Sequence, residues 1–174
     1  MKTFIFLSLI AILSCTQENK ELINQPMYEG PSVEMDSVET LYSDSAIVKI
    51  RINAPKQLNF ENGNEEYPLG VRLKFYDETG KEISNLRADK AYYIAEEKHY
   101  KAVGNVVVRN LETQDRLNTE ELYWNPNEER VYTDKFVTIR SLDEVHKGEG
   151  LEATQDFENY QILKPTGTIT IDEP

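Results

Sequence analysis

The chain has 174 residues, of which 39% are hydrophobic and 29% charged, and this composition is ordinary for one folded domain. Its formal net charge of -12 at pH 7 argues against nucleic-acid binding, and no run of basic residues predicts a membrane-surface segment. The single cysteine excludes an intrachain disulfide, and with two histidines it leaves no ligand set for zinc, so we expect no metal or cofactor.

Residues 1–14 are predicted to be a lipoprotein signal peptide. Lys2 supplies the positive start, and FIFLSLIAIL follows as an apolar core about half the ~20 residues that a spanning helix needs. The segment ends in ILSC, which resembles a bacterial lipobox. Cys15 is therefore predicted to carry a diacylglycerol that tethers the exported chain to a membrane. The alternative is an ordinary signal with an incidental cysteine.

A polar tether is predicted over residues 15–44, followed by one folded domain over residues 45–174. Pro26, Gly30 and Pro31 fall among polar residues in the tether, and no periodicity is sustained there. We therefore expect a flexible, lipid-anchored segment between the membrane and the domain.

The first part of the domain shows the period-two pattern of β-strands. Apolar and polar residues alternate from Ala46 to Ala54, and Pro55 is predicted to end this strand because it cannot donate to a ladder. The segments 69–75 and 81–87 are predicted to form a hairpin around a DETG turn. Because no helical period is sustained, the fold is predicted to be all-β.

The rest of the domain contains three sequence repeats, each the length of a strand pair, over residues 86–110, 117–140 and 148–171. In each copy two residues bracket a polar turn, seven positions apart in the first two copies and nine in the third. These pairs are Tyr93 and Tyr100, Trp124 and Val131, and Ala153 and Ile162. Such repeats are typical of stacked units that cannot bury a face alone, which predicts a curved, open β-structure.

Four motifs within these repeats resemble the LptC family, the periplasmic component of the lipopolysaccharide-export machinery. They are AYY…Y-x-A-x-GNVVV from Ala91, L-x-T-x-x-L-x-W from Leu117, V-x-TD-x-x-V-x-I from Val131 and G-x-GLEA-x-QDF from Gly148. The resemblance rests on their order and spacing and covers roughly residues 45–171. It implies an open twisted β-jelly roll built from repeated strand pairs.

The resemblance also implies a groove for lipopolysaccharide acyl chains. The inward positions that would line it are Tyr93, Tyr100, Val106, Val108, Leu122, Trp124, Val131, Phe136, Ile139 and Ile162. The pattern alone favours a closed sandwich core, because half-buried strands always alternate in this way, and it is the resemblance that favours a groove. Since the chain is acidic, we expect it to hold the acyl chains and to leave the phosphates in water.

Docking through unpaired strand edges is the other implied feature. The first strand and the last strand of the domain are predicted to be these edges. The predicted partner-edge residues are Val48, Ile50, Ile52, Thr168, Ile169, Thr170 and Ile171.

The predicted function is lipopolysaccharide transport. The chain would accept lipopolysaccharide from the permeases of an inner-membrane ABC transporter and pass it to a periplasmic bridge protein of the same fold. It would be anchored through Cys15 on the periplasmic face of the inner membrane, with outer-membrane anchoring left open. The alternative is a structural or adhesive surface lipoprotein.

Enzyme activity has no support in the sequence. A glycosidase would need two convergent carboxylates, but Glu120 and Glu121 are adjacent in a strand and would point to opposite faces. Neither His99 nor His146 has a nucleophile or carboxylate at a spacing that indicates a catalytic group, and both are predicted to lie on the surface.

Overall fold

The structure is a computed structural model that describes residues 28–167. The chain divides into two units, Met1–Gly30 and Pro31–Pro174, and the second contains all the strands described. The predicted signal peptide, Cys15 and the edge residues Thr168 to Ile171 lie outside the described residues. Between residues 28 and 167, no helix is long and apolar enough to cross a membrane.

Within residues 28–167, eleven β-strands form one antiparallel sheet. They are β1 (Val33–Asp44), β2 (Ile47–Asn59), β3 (Glu65–Tyr67), β4 (Val71–Tyr76), β5 (Glu82–Ala88), β6 (Lys90–Ile94), β7 (His99–Asn110), β8 (Arg116–Asn125), β9 (Arg130–Arg140), β10 (Val145–Thr154) and β11 (Tyr160–Thr166). The all-β prediction is confirmed, as is the predicted hairpin, which β4 and β5 form.

The chain follows a meander in which successive long strands are neighbours. Strand β2 pairs with β1 along one side and with β4 and then β3 along the other. Strands β5 and β6 both pair with β7, and β7 to β11 follow in chain order. Strands β1 and β11 are therefore the two edge strands of the sheet.

The three repeats are three hairpins, β6–β7, β8–β9 and β10–β11. The third differs from its prediction, because Ala153 is paired with Tyr160 and not with Ile162. Ile162 lies opposite Leu151 instead. The bracketing pairs are thus seven positions apart in all three copies, and the repeat is more regular than the side-chain pattern suggested.

A line of irregularities crosses the sheet and bends it. The pairing register shifts between Val103 and Val106 in β7, and it shifts again between Glu149 and Leu151 in β10. Gly104 and Gly150 both have φ near +79°, a conformation that glycine adopts without strain. Each bulge bends its strand, so together they form a bend line that divides the sheet into two layers.

The two layers face each other and enclose the core. Layer A contains β4 and β5, together with the segments of β2 and of β7 to β10 that are in register with them. Layer B contains β3 and β6, together with the remaining segments of those long strands. The ring of Phe75 in layer A lies 6.1 Å from that of Trp124 in layer B, centroid to centroid. Leu73 and Leu86 from layer A pack with Leu122 from layer B in one buried cluster.

Two predictions about the start of the domain are wrong. Residues 33–44 are not part of a tether but form β1, which pairs with β2 along its length. Ser37 has φ +57°, and the alternation of exposed and half-buried residues is interrupted there, between Met35 and Val38, although the pairing register with β2 is continuous. Pro55 does not end the next strand either. It lies within β2, between the segment that pairs with β4 and the segment that pairs with β3, so no ladder bond is lost.

Candidate functional site

The interior between the layers contains nine of the ten residues predicted to line a groove. Six are almost fully buried, with at most 5% of their surface exposed: Val106, Val108, Leu122, Trp124, Val131 and Ile139. Tyr100 and Ile162 are partly buried against this core. Tyr93, also partly buried, lies beside Tyr100 with ring centroids 4.8 Å apart.

The tenth residue, Phe136, does not face the interior. Its side chain is 52% exposed, whereas its neighbour Val137 is fully buried. The residues Asp134 to Phe136 are all exposed, which interrupts the alternation of β9 at the bend line. The hydroxyl of Thr119 donates to the backbone carbonyl of Phe136 at 3.0 Å and holds this irregular segment in place. The assignment of Phe136 to the groove is therefore wrong.

The interior is closed in this structure. One cavity of about 30 Å³ is lined by residues of both layers, including Leu73, Leu86, Tyr100 and Trp124. A second cavity of about 20 Å³ lies farther along the bend line, against Leu151 and Tyr160. Each has room for roughly one water molecule. An acyl chain cannot enter unless the layers move apart.

An aromatic cluster joins the two layers beside the larger cavity. It consists of Tyr42, Phe75, Tyr93, Tyr100 and Trp124. The rings of Tyr100 and Trp124 are stacked at 5.0 Å, and Tyr42 contacts Trp124 edge-on at 6.2 Å. The hydroxyls of Tyr42 and Tyr100 share a hydrogen bond of 2.9 Å. Because Tyr42 belongs to the edge strand β1, this cluster links one edge of the sheet to the interior.

The larger cavity is lined by apolar and aromatic residues and carries no charge at neutral pH, whereas Asp115 lines the smaller one. Burial raises the pKa of Tyr100 well above its usual value, and the hydrogen bond with Tyr42 raises it further. Burial likewise raises the pKa of Tyr67, whose hydroxyl donates to Glu65 at 2.6 Å. Both phenols therefore stay neutral. The neutral, apolar lining of the larger cavity fits hydrocarbon and gives an ionised ligand no partner.

The free edges are β1 and β11, which corrects one of the two predicted edges. Val48, Ile50 and Ile52 lie on β2, an internal strand, and the last two are 5% and 3% exposed. Strand β1 has four acidic residues and neither Lys nor Arg. Strand β11 ends at Thr166, two residues before the predicted segment Thr168 to Ile171, which lies outside the described residues. An unpaired strand presents backbone N–H and C=O groups that a partner strand can bind.

The residues considered for acid–base chemistry do not form a catalytic pair. Glu121 lies 2.8 Å from the ammonium of Lys101 and accepts a hydrogen bond of 2.9 Å from Tyr123. Burial works to raise the pKa of Glu121, but these two hydrogen bonds outweigh it and lower the pKa. Glu120 is exposed. His99 is only 7% exposed and packs edge-on against Tyr123, so the prediction that it lies on the surface is wrong.

Comparison with known proteins places these features in a family. The family described as "Lipopolysaccharide-assembly, LptC-related" matches residues 3–170, which is nearly the whole chain. No individual curated protein matches the chain. The family is a transport component associated with the periplasmic side of the inner membrane, and it is not an enzyme family. The chain, an all-β jelly roll bent into two facing layers with two free edges, therefore belongs to the LptC family of lipopolysaccharide transport.

Proposed function

We propose that this protein accepts lipopolysaccharide from the permeases of an inner-membrane ABC transporter and passes it to a periplasmic bridge protein of the same fold. The observation that carries the proposal is the apolar interior between the layers, which contains the uncharged cavity at Trp124 and a smaller cavity at Leu151 with Asp115 in its lining. It lies between two layers whose outer strands, β1 and β11, both have a free edge. A ligand could therefore pass along the interior from one docked neighbour to the next.

Entry of an acyl chain requires the layers to separate at the aromatic cluster. The hydrogen bond between Tyr42 and Tyr100 contributes about 0.5–1.5 kcal/mol. Each aromatic pair adds about 0.5–1.5 kcal/mol beyond its buried area. Burial of hydrocarbon gains about 0.8 kcal/mol per CH₂, so about ten CH₂ groups gain about 8 kcal/mol. The gain exceeds the cost of parting a few such contacts, and the closed interior is compatible with a ligand-driven opening.

The two edges have separate partners in this proposal. The edge of β11, continued by Thr168 to Ile171, pairs with a strand of the bridge protein. The acidic edge of β1 faces the transporter. Main-chain pairing of this kind extends one sheet into the next and aligns their interiors.

Acylated Cys15 anchors the protein in the membrane under this proposal, on the periplasmic face of the inner membrane. The strand β1 begins at Val33, so the segment between the anchor and the domain is shorter than the sequence alone suggested. A shorter segment keeps the domain nearer to the transporter.

Photo-crosslinking in cells tests the proposal. A photoreactive residue at Tyr100 or Trp124 should capture lipopolysaccharide, because both side chains line the interior cavity. The same residue at Glu128, in the exposed turn between β8 and β9, is the matched control and should capture none. Equal capture at all three positions, or capture at none, contradicts the proposal.

A structural or adhesive surface lipoprotein is the second candidate, and the closed interior favours it. Such a protein needs only a stable core, and two cavities with room for roughly one water each fit that role. It would yield no lipopolysaccharide adduct at Tyr100 or Trp124, and loss of either edge would leave lipopolysaccharide export intact.

A further inference from the structure

The outward surface of layer A gathers most of the arginines of this acidic protein. Six of the seven arginines lie there, together with two lysines. We call this surface the basic face, and its residues are Arg51, Arg72, Lys74, Arg87, Arg109, Arg116, Arg140 and Lys147. Their strand neighbours, such as Ile52, Leu73 and Val108, are buried, so the cations project away from the core.

The arginines of the basic face lie directly opposite one another. Arg72 of β4 is paired with Arg87 of β5. Arg116 of β8 lies between Arg109 of β7 and Arg140 of β9, so three guanidinium groups cross three adjacent strands. Like charges in directly opposed positions destabilise a sheet. This arrangement therefore lacks an explanation within the isolated fold.

Most of these cations have no acidic partner in the described part of the chain. Arg51 lies 3.6 Å from Glu39, and Lys74 lies 2.7 Å from Glu82. Over residues 28–167, no ion pair involves the other six, although the chain has 31 acidic residues against 19 basic ones. The Nε of Arg116 is also buried without a hydrogen-bond acceptor.

Layer B differs from layer A in this respect. On its outward surface Lys101 pairs with Glu121 at 2.8 Å and Arg130 pairs with Glu152 at 2.9 Å. Acidic residues are thus available to the fold, yet six of the eight cations of the basic face have no ion pair within residues 28–167. The difference indicates an anionic partner outside the chain for the basic face.

Exposed aliphatic side chains lie at the turns beside the arginine row. Leu111 follows β7 and is 45% exposed, and Leu142 lies between β9 and β10 and is 74% exposed. Val145, which is 54% exposed, lies directly opposite Arg140. Cationic residues next to exposed aliphatic ones are typical of surfaces that sit in the interface of a bilayer.

We propose that the basic face docks on an anionic phospholipid bilayer. The guanidinium groups bind lipid phosphates, for which their planar, two-pronged geometry is suited. Leu111, Leu142 and Val145 enter the headgroup region. An acidic protein surface would satisfy the charges, but it would leave these aliphatic side chains, which lie at two separate strand connections, without a common apolar environment.

Docking in this orientation leaves the other surfaces of the domain accessible. The edges β1 and β11 bound the sheet at its two sides and do not belong to the basic face. The inference is independent of the proposed transport function, since it concerns only the outer surface of layer A.

The test places an environment-sensitive fluorescent amino acid at Leu142 of the full-length protein reconstituted into vesicles. The matched position is Glu128, in the turn between β8 and β9 of layer B. Vesicles contain brominated phosphatidylcholine, alone or with about one quarter phosphatidylglycerol, an anionic lipid. We expect the bromines to quench the fluorescence at position 142 but not at position 128, and only in vesicles that contain phosphatidylglycerol. The quenching should be lost in about 1 M salt, where charges are screened within about 3 Å.

Two triple variants make the test specific to the basic face. The variant R109Q/R116Q/R140Q should lose quenching at position 142. The control variant K90Q/R130Q/K135Q removes the same charge from cations outside the basic face and should keep it. Thermal unfolding of both variants shows whether each remains folded.

Three results would overturn the proposal. They are equal quenching in neutral vesicles, equal loss in the two triple variants, and no quenching in any vesicle. In the third case, a photo-crosslinker at Leu142 that captures an acidic protein would assign the basic face to a protein partner instead of a membrane.

Discussion

The replacement of Trp124 by alanine tests whether the two layers are packed as the structure shows. Trp124 is 5% exposed, stacks on Tyr100 at 5.0 Å, contacts Phe75 at 6.1 Å, and donates from Nε1 to Gln155 at 3.2 Å. A buried Trp→Ala change costs about 3–5 kcal/mol through lost burial and the cavity left behind. That is a large part of the 5–15 kcal/mol by which a typical domain is stable.

Phe136→Ala is the matched control, because the sequence assigned both aromatic residues to the same groove. Phe136 is 52% exposed, so its removal should change the free energy of unfolding by no more than about 0.5 kcal/mol. Urea unfolding, with a slope of about 1–3 kcal/mol per molar, should show a midpoint lowered by roughly 1–4 M for Trp124→Ala and little change for Phe136→Ala.

Circular dichroism is the suitable signal, since Trp124 is the only tryptophan and its fluorescence is lost in the variant. Equal shifts for the two variants, or a shift below about 0.5 M for Trp124→Ala, would refute the assignment of one ring to the core and the other to the surface.

The remaining predictions concern the anchor, the edge and one ion pair. Cys15→Ala should abolish palmitate labelling and release the protein from membranes; continued membrane attachment with no label in the wild type contradicts this. Thr168→Pro and Thr170→Pro each remove one backbone N–H, which in one variant serves the partner and in the other serves the fold. One variant should therefore abolish pull-down of the bridge protein with an unchanged melting temperature, and the other should destabilise the domain. Identical behaviour of the two variants argues against edge docking. The hydrogen bond with Glu121, followed by that with Tyr123, raises the pKa of Lys101 from 10.5 to about 12. The stabilisation of the fold by the protonated Lys101 side chain is therefore present below pH 10.5 and is lost as the pH rises through about 12. The difference in unfolding free energy between wild type and Lys101→Met should fall between pH 10.5 and about 12. A difference that stays constant with pH would count against a stabilising role of the Lys101–Glu121 ion pair.

The strands and hairpins could be predicted from the sequence because the period-two pattern is a local property. Val106 and Val108 in β7 and Leu122 and Trp124 in β8 each lie two positions apart, and all four are buried as the pattern predicts. Each polar turn between such runs marks a hairpin, which is how the three repeats became visible.

The facing of residues near the bend line could not be predicted, because one bulge reverses the alternation that follows it. Phe136 lies beside such an irregularity and points outward. Ser37, with its positive φ, interrupts the alternation of β1 without a register shift, so the sequence pattern placed the edge on β2. Which strand is an edge depends on pairing between distant segments, and a local pattern carries no information about it.

The sequence by itself determined the fold class, the hairpin repeats and the family, because these depend on local alternation and on the order of motifs along the chain. Only the tertiary structure decided which strands are edges, that the interior is closed, and that six arginines share one surface. Those arginines are spread from residue 51 to residue 140, and no two are adjacent. Antiparallel pairing brings them into register across the strands, and only Arg51 among them has an acidic residue within ion-pair distance in residues 28–167. Net charge is a sum over the chain, but a charged surface depends on which residues the sheet places side by side.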